Sequence, residues 1–370
     1  MPAQIVVCTR PHAGTDQECA DQEDTLSSID IDYFLSVGFS DLRQRNGLMT
    51  RPRKVLISLA DTPYYHITSR YVRRAFLCGV DHYTGQNYEH RRQWVVDRIR
   101  LLSSLLAIDV CAYAVLNNHY HLVLKLCSEQ LEGLSDDDVI DRWCALFKGP
   151  LLIQRYREGE DLKPFERTTV SDIVNVWRSK LSSISWYMRC LNQPIARQVN
   201  REDKCTGKFW ESRFTSQALK SEEALLSCMA YVDLNPVRTG IADRPESSSH
   251  TSIQERLQPE FDIRQAIEDQ TECGDLLDFK IPLKPLLPFE NRLVNEPQTG
   301  ILFNFEEYRT LVDWTGRIIR SDKRGHIDNA LLPILARLQI TADQWRINAT
   351  QIEVIHPKRF NRPTPTLDTG

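Results

Sequence analysis

The chain has 370 residues, is 41% hydrophobic and 26% charged, and carries a net charge of -4. That is the composition of a soluble globular protein of two domains, or of one domain with extensions. It excludes a membrane span, because no apolar run reaches about 18 residues, and a disulfide scaffold, because the ten cysteines are scattered with no Cys-x-x-Cys pair. The cysteines read instead as free, buried thiols. The early apolar run Ile5 to Cys8 is too short for a signal-peptide core, so the expected location is cytoplasmic. A pI of about 6.2 speaks against a wholly basic nucleic-acid surface. Basic residues nevertheless dominate from Arg51 to Arg100, including Arg70, Arg73, Arg74, Arg91, Arg92, Arg98 and Arg100, and a local patch can bind phosphate under a negative total.

In chain order, residues 1–48 have no clear periodicity and read as a poorly ordered N-terminal extension, with Met49 a natural start. Tyr65 to Ser69 is β-branched and aromatic, as a strand requires. From Glu89 to Ala107, Val95, Ile99, Leu102 and Leu106 recur at intervals of four, three and four, which marks one face of a helix. Val110 to Leu116 and Tyr120 to Leu126 read as strands, and Asn117-Asn118 as the turn of a hairpin between them. Asp137 to Lys148 reads as a short helix. Trp177, Leu181, Ile184, Met188 and Leu191 mark a long helix from Ser171 to Leu191.

Another strand is expected within Lys208 to Leu219. Ser221 then caps a helix that runs to Asn235, where Pro236 ends it. Setting the short helix aside, this order predicts an α+β fold: a ferredoxin-like split βαβ with a four-stranded antiparallel sheet. Helices should cover one face and leave the other face or the sheet edge for a ligand. Residues 49–255 form this catalytic unit, 256–300 a linker, 301–350 a small helical accessory region and 351–370 a disordered tail. Within the accessory region, 303–320, 329–338 and 342–348 look helical.

The chemistry concentrates in two places. His119 and His121 are two apart on a strand, so both imidazoles leave the same face and can converge on one ion. The pair could equally be structural. Tyr231 and Asn235 are four apart and share a helix face. The apolar stripe of that helix is Leu225, Cys228, Met229 and Val232. Tyr231 lies roughly 110° from its centre at about 100° per residue, as a boundary tyrosine with its hydroxyl in water would. Lys208, Trp210 and Arg213 mix cations with aromatics, which suits stacking on unpaired bases; alternatively Phe209, Trp210 and Phe214 are core. His66 reads as structural.

Four segments resemble, in order, the HUH-type single-tyrosine transposases of insertion sequences, and most of all the REP-associated tyrosine transposases. They are Tyr64 to Arg70, Asn118 to Leu122, Gly207 to Phe214 and Tyr231 to Arg238. The resemblance implies that His119 and His121 bind a divalent metal, Mg²⁺ or Mn²⁺, with Asn235 as a third ligand. Tyr231 would be the nucleophile that forms a 5′-phosphotyrosine link. The partner would be single-stranded DNA beside palindromic repeats folded as hairpins. Arg70, Arg73, Arg74, Lys208, Trp210, Arg213 and Arg238 are the candidate DNA contacts. A homodimer is among the states the sequence allows.

Three other readings stand beside this one. A hydrolytic nuclease would use the same histidines with water as nucleophile. A replication or mobilisation nickase often carries a second tyrosine or a helicase, and no Gly-x-x-x-x-Gly-Lys loop is present. A catalytically idle hairpin-DNA-binding regulator would keep the fold without the chemistry.

Overall fold

The computed structural model describes residues 62–72, 78–81, 85–259, 262, 281–290, 300–319 and 340–350. The readings for residues 1–48, for the helix at 329–338 and for the tail lie outside them.

Strands β1 (Tyr64–Arg70), β2 (Ile108–Val115), β3 (His119–Leu126) and β4 (Thr215–Ala218) form one antiparallel sheet in the order β2-β3-β1-β4. Helix α1 (His90–Leu105) connects β1 to β2, so β3 comes to lie between the two strands that α1 joins. This is the split βαβ arrangement of the ferredoxin-like fold. The β2–β3 turn is the two residues Asn117 and Asn118, closed by the Leu116 N–H donating to the His119 carbonyl at 2.9 Å. A register shift between Val110 and Ala112 gives β2 a bulge at Cys111.

Strand alternation sorts the side chains of β1. Tyr65 and Ile67 join a core with Leu122 and Leu124 of β3, Val95, Ile99 and Leu102 of α1, and Leu191 and Ile195 of α5 (Ile184–Glu202). Full burial of each aliphatic side chain there stabilises by about 1.5–3 kcal/mol. His66 and Thr68 leave the opposite face.

That opposite face is also covered, which corrects the expectation of a free one. Helix α6 (Glu222–Asp233) packs over the small residues Ala112 and Ala114, and over Val123, through Cys228, Met229 and Val232. Alanines at these strand positions leave room for a close helix. Ser221 caps α6 as expected, accepting from the Ala224 N–H at 3.1 Å. The helix ends at Asp233, two residues short of the expected Asn235. A further turn, α7 (Asn235–Arg238), follows directly, with proline in its first turn where its missing N–H costs nothing.

Between β3 and α5 lie α2 (Asp136–Cys144), α3 (Leu151–Arg157) and α4 (Pro164–Leu181). The single long helix expected from Ser171 to Leu191 is therefore two. The chain breaks at Ser182-Ser183, and Ser183 caps α5 by accepting from the Trp186 N–H. Spacings of three and four run unbroken across the junction because both helices face the same core, so periodicity alone could not find the break.

The stretch read as a linker contributes packed structure. Helix α8 (Ser252–Leu257) lies against β2, and Leu286 and Leu287 are buried, with the Leu287 N–H donating to the Val110 carbonyl at 2.9 Å. Helices α9 (Phe305–Ile319) and α10 (Ala342–Thr350) then lie against α6.

Most of the basic run on α1 is spent inside the protein. Arg91 pairs with Glu202 and Asp203, Arg98 donates to the Cys190 carbonyl and Arg100 pairs with Glu255. Burial pushes the Cys78 and Cys190 thiols up to about 12, which agrees with the reading of inert thiols. No helix among the described residues is long and apolar enough to cross a membrane.

Candidate active site

Cross-strand register builds the site. Thr68 of β1 lies opposite His121 of β3, and Arg70 lies opposite His119. Paired residues share a face, so His66, Thr68, Arg70, His119 and His121 all leave the sheet toward α6 and α7. The two histidine rings stand nearly perpendicular, with centroids 4.8 Å apart.

His121 is buried and held on both of its nitrogens. Its Nδ1 lies 3.0 Å from His66 Nε2 and 3.2 Å from Thr68 Oγ1, while its Nε2 lies 3.2 Å from the Asn235 side-chain nitrogen. An amide nitrogen only donates, so in this arrangement His121 Nε2 is the acceptor. His121 Nδ1 then carries the proton and donates to His66 or Thr68. This tautomer keeps a lone pair on Nε2, the state a metal-binding imidazole needs with its other N–H held by a neighbour. His119 is half-buried and its Nδ1 is bonded to the Asn118 side-chain oxygen, so the turn itself orients the ring.

The turn is clamped from α1. The Arg92 guanidinium donates to the Val115 carbonyl at 2.6 Å and to the Asn117 side chain, and pairs with Glu89. His250 supports the same corner, its carbonyl accepting from the Val115 N–H at 3.2 Å. Burial first, and then the Arg92 charge, lower its imidazole from 6.5 to about 4. The unfolded chain therefore binds one more proton between those values. The contribution of neutral His250 is present above about pH 6.5 and is lost as pH falls toward 4. Denaturant midpoints measured between pH 7 and pH 5 should fall less steeply in His250→Gln than in the unaltered protein.

Tyr231 is 7% exposed. This corrects the expectation of a boundary position for the tyrosine. The last two turns of α6 are covered by the sheet on one side and by C-terminal helices on the other, so even a residue well off the apolar stripe is enclosed. Its ring meets that of His121 edge-on at 5.6 Å and that of His66 at 6.2 Å. The Arg238 guanidinium lies over the Tyr231 ring, 4.7 Å from its centroid.

Among the described residues no group of three or more His, Cys, Asp and Glu could hold a metal. Two imidazoles and an amide are what the site offers. Adjacent ligands of an octahedral ion, each about 2.1 Å from it, stand about 3 Å apart. The separation of 3.2 Å between His121 Nε2 and the Asn235 amide fits that spacing once the amide is turned to present its oxygen. The residues thus fit a divalent ion whose remaining positions water or phosphate oxygen would fill.

Of the candidate DNA contacts, Arg70 is exposed at the end of β1 beside His119. Lys208 and Arg213 are exposed on the segment that runs next to it, where the Glu211 N–H donates to the Arg70 carbonyl at 2.9 Å. Trp210 is half-buried, packed on Tyr71, and its indole N–H donates to the Asn192 carbonyl at 2.8 Å. Phe209 and Phe214 are core. Arg238 is exposed beside Tyr231. Arg73 and Arg74 lie outside the described residues.

His66, read from the sequence as structural, stands beside the site. It is 2% exposed, with its ring stacked on that of His121 at 5.2 Å. Only the β1–β3 register brings the two together. Replacing His66 with Phe keeps a stacking ring and removes the hydrogen bond. Loss of such a partner costs a metal site about 10–100-fold in affinity, so the Mn²⁺ concentration that half-saturates the site should rise by that factor in a titration.

The fold and site together define an α+β protein in which a His-x-His strand faces a helix-borne tyrosine and asparagine. No family model matches the chain, and neither does any curated protein. Among solved structures it is similar to the REP-associated tyrosine transposase bound to a REP hairpin. The identity is 14%, the match covers 70% of this chain and 100% of that one, and the TM-score is 0.31.

Proposed function

We propose that this protein is a single-tyrosine DNA transposase that cleaves and rejoins single-stranded DNA at hairpin sites. The observation that carries the reading is the meeting of Tyr231, His121 and Asn235 at one point, from elements far apart in sequence. The four sequence segments that resemble HUH transposases surround that point. Hairpin DNA as the partner rests on the same resemblance.

In this reading His119, His121 and Asn235 hold Mg²⁺ or Mn²⁺. The bound ion would polarise the scissile phosphate and stabilise charge that develops on it. The Tyr231 oxygen attacks phosphorus, its phenolic proton is released to solvent, and a bond from tyrosine to the 5′-phosphate forms as the bond to the 3′-oxygen breaks. That oxygen takes up a proton and leaves as a 3′-hydroxyl. The link conserves the energy of the phosphodiester, so a second 3′-hydroxyl can reverse the step and join strands without ATP. His66 and Thr68 hold the His121 ring in place. Arg70, exposed beside His119, and Arg238, exposed beside Tyr231, would meet phosphate.

The test uses labelled single-stranded DNA hairpins from the sequence flanking the gene, incubated with the full chain and Mg²⁺ or Mn²⁺. A protein–DNA band that survives denaturing electrophoresis and requires the metal is the expected result. Cleavage without such a band would overturn the tyrosine mechanism in favour of water attack. Hairpin binding with no cleavage would mark an idle regulator.

A further inference from the structure

Helix α6 carries Tyr231 toward the sheet and, two residues on, Asp233. Two helical steps are about 200° of rotation, so Asp233 leaves the opposite side of the helix from Tyr231. It is fully buried. A carboxylate enclosed there is costly unless donors surround it, and three do. The Ile253 N–H donates at 3.0 Å and the Ser252 hydroxyl donates beside it, both from the first turn of α8. The third is the Tyr308 hydroxyl of α9, at 2.6 Å. Tyr308 is itself fully buried.

The joint between α6 and α7 is where this anchor acts. Tyr231 stands on α6, which ends at Asp233, and Asn235 opens the separate turn α7, so how the two residues stand to each other depends on how the end of α6 is held. The C-terminal helices grip α6 at both ends. Near its start, the Asn348 side chain of α10 donates to Glu223. Near its end, α9 passes so close that a Cβ on Gly316 would stand 3.1 Å from Leu234 Cδ2. The two C-terminal helices are tied to each other by the Trp345 indole N–H donating to the Thr315 hydroxyl at 2.8 Å.

We infer that the C-terminal helices α9 and α10 are a positioning unit for the nucleophile helix, with Tyr308 acting through Asp233 to set where Tyr231 and Asn235 stand relative to His121. Tyr308 touches neither DNA nor metal; it is a positioning residue. The inference rests on the roles proposed above for Tyr231 and Asn235.

The experiment compares the full chain with its Tyr308→Phe variant, well below the melting midpoint of either. Amide hydrogen exchange should accelerate in peptides covering 230–238 and stay unchanged in those covering β1 and β3. The single-turnover rate of the covalent adduct should fall between about 10- and 100-fold, as small misplacements of reacting groups do. Half-saturating Mn²⁺ should rise, and hairpin affinity should hold within about twofold, since no DNA contact is altered. Unchanged exchange at 230–238, or equal acceleration across the chain, would overturn the inference, as would faster local exchange with an unaltered adduct rate. If Tyr308→Phe fails to fold, Ser252→Ala removes a different donor from the same carboxylate and is read in its place. An unaltered protein that forms no adduct sinks the transesterification reading itself, and the inference is then decided on the exchange and Mn²⁺ measurements alone.

Discussion

Tyr231→Phe is expected to bind hairpin DNA as the unaltered protein does and to yield no covalent adduct, a loss of at least about 10³-fold. The substitution keeps the ring and therefore its edge contacts with His121 and His66 and the Arg238 guanidinium above it. Only the hydroxyl goes, which limits the stability change to about 1.5 kcal/mol. A melting midpoint close to that of the unaltered protein, with the denaturing-gel band gone, is the predicted pair of results. If the band persisted in Tyr231→Phe, another residue would be the nucleophile. If cleavage continued without any band in either protein, water would be.

His121→Ala should have a second large effect, of a different kind. In the role proposed for it, His121 is a metal ligand, and its removal would take away several kcal/mol of charge stabilisation, which is about 10³-fold or more in rate. It also takes from His66, Thr68 and Asn235 the bonds they make to His121 in a closed space, and loss of a buried hydrogen bond of this kind costs about 1–3 kcal/mol. The variant should therefore lose Mn²⁺ binding, lose the adduct and melt at a lower temperature. His119→Ala makes the contrast. His119 is half-buried and bonded to the adjacent Asn118 on the turn, so this variant should lose metal binding and adduct with little change in melting. Equal destabilisation by the two substitutions, with Mn²⁺ affinity unchanged in both, would count against a metal at this site.

Much of the fold was legible because its elements obey local rules. The β2–β3 hairpin announced itself through two apolar runs around Asn117-Asn118, and α1 through Val95, Ile99, Leu102 and Leu106, all of which are buried. The Ser221 cap marked the start of α6 correctly. The misses share a cause, which is that they depend on neighbours distant in sequence. The break at Ser182-Ser183 hides within a continuous three–four spacing. The buried arginines of α1 read as a basic surface until their acceptors, Glu202, Asp203 and Glu255, are placed beside them. The packing of Leu286 and Leu287 on the sheet could not be read from a proline-spaced stretch.

By itself, the sequence determined the order of the four strands, the shared face of His119 and His121, and the four-residue spacing of Tyr231 and Asn235, which stand on the adjoining helices α6 and α7. Each follows from a period of two or of 3.6 along a few residues. Only the tertiary structure decided that His66 stands against His121, that the second sheet face is closed by α6, and that the C-terminal helices hold Asp233. These are consequences of strand register and of layer packing, in which side chains far apart in sequence meet, Asp233 and Tyr308 across 75 residues and His121 and Asn235 across 114. No local periodicity encodes a partner that the chain reaches only after it has folded.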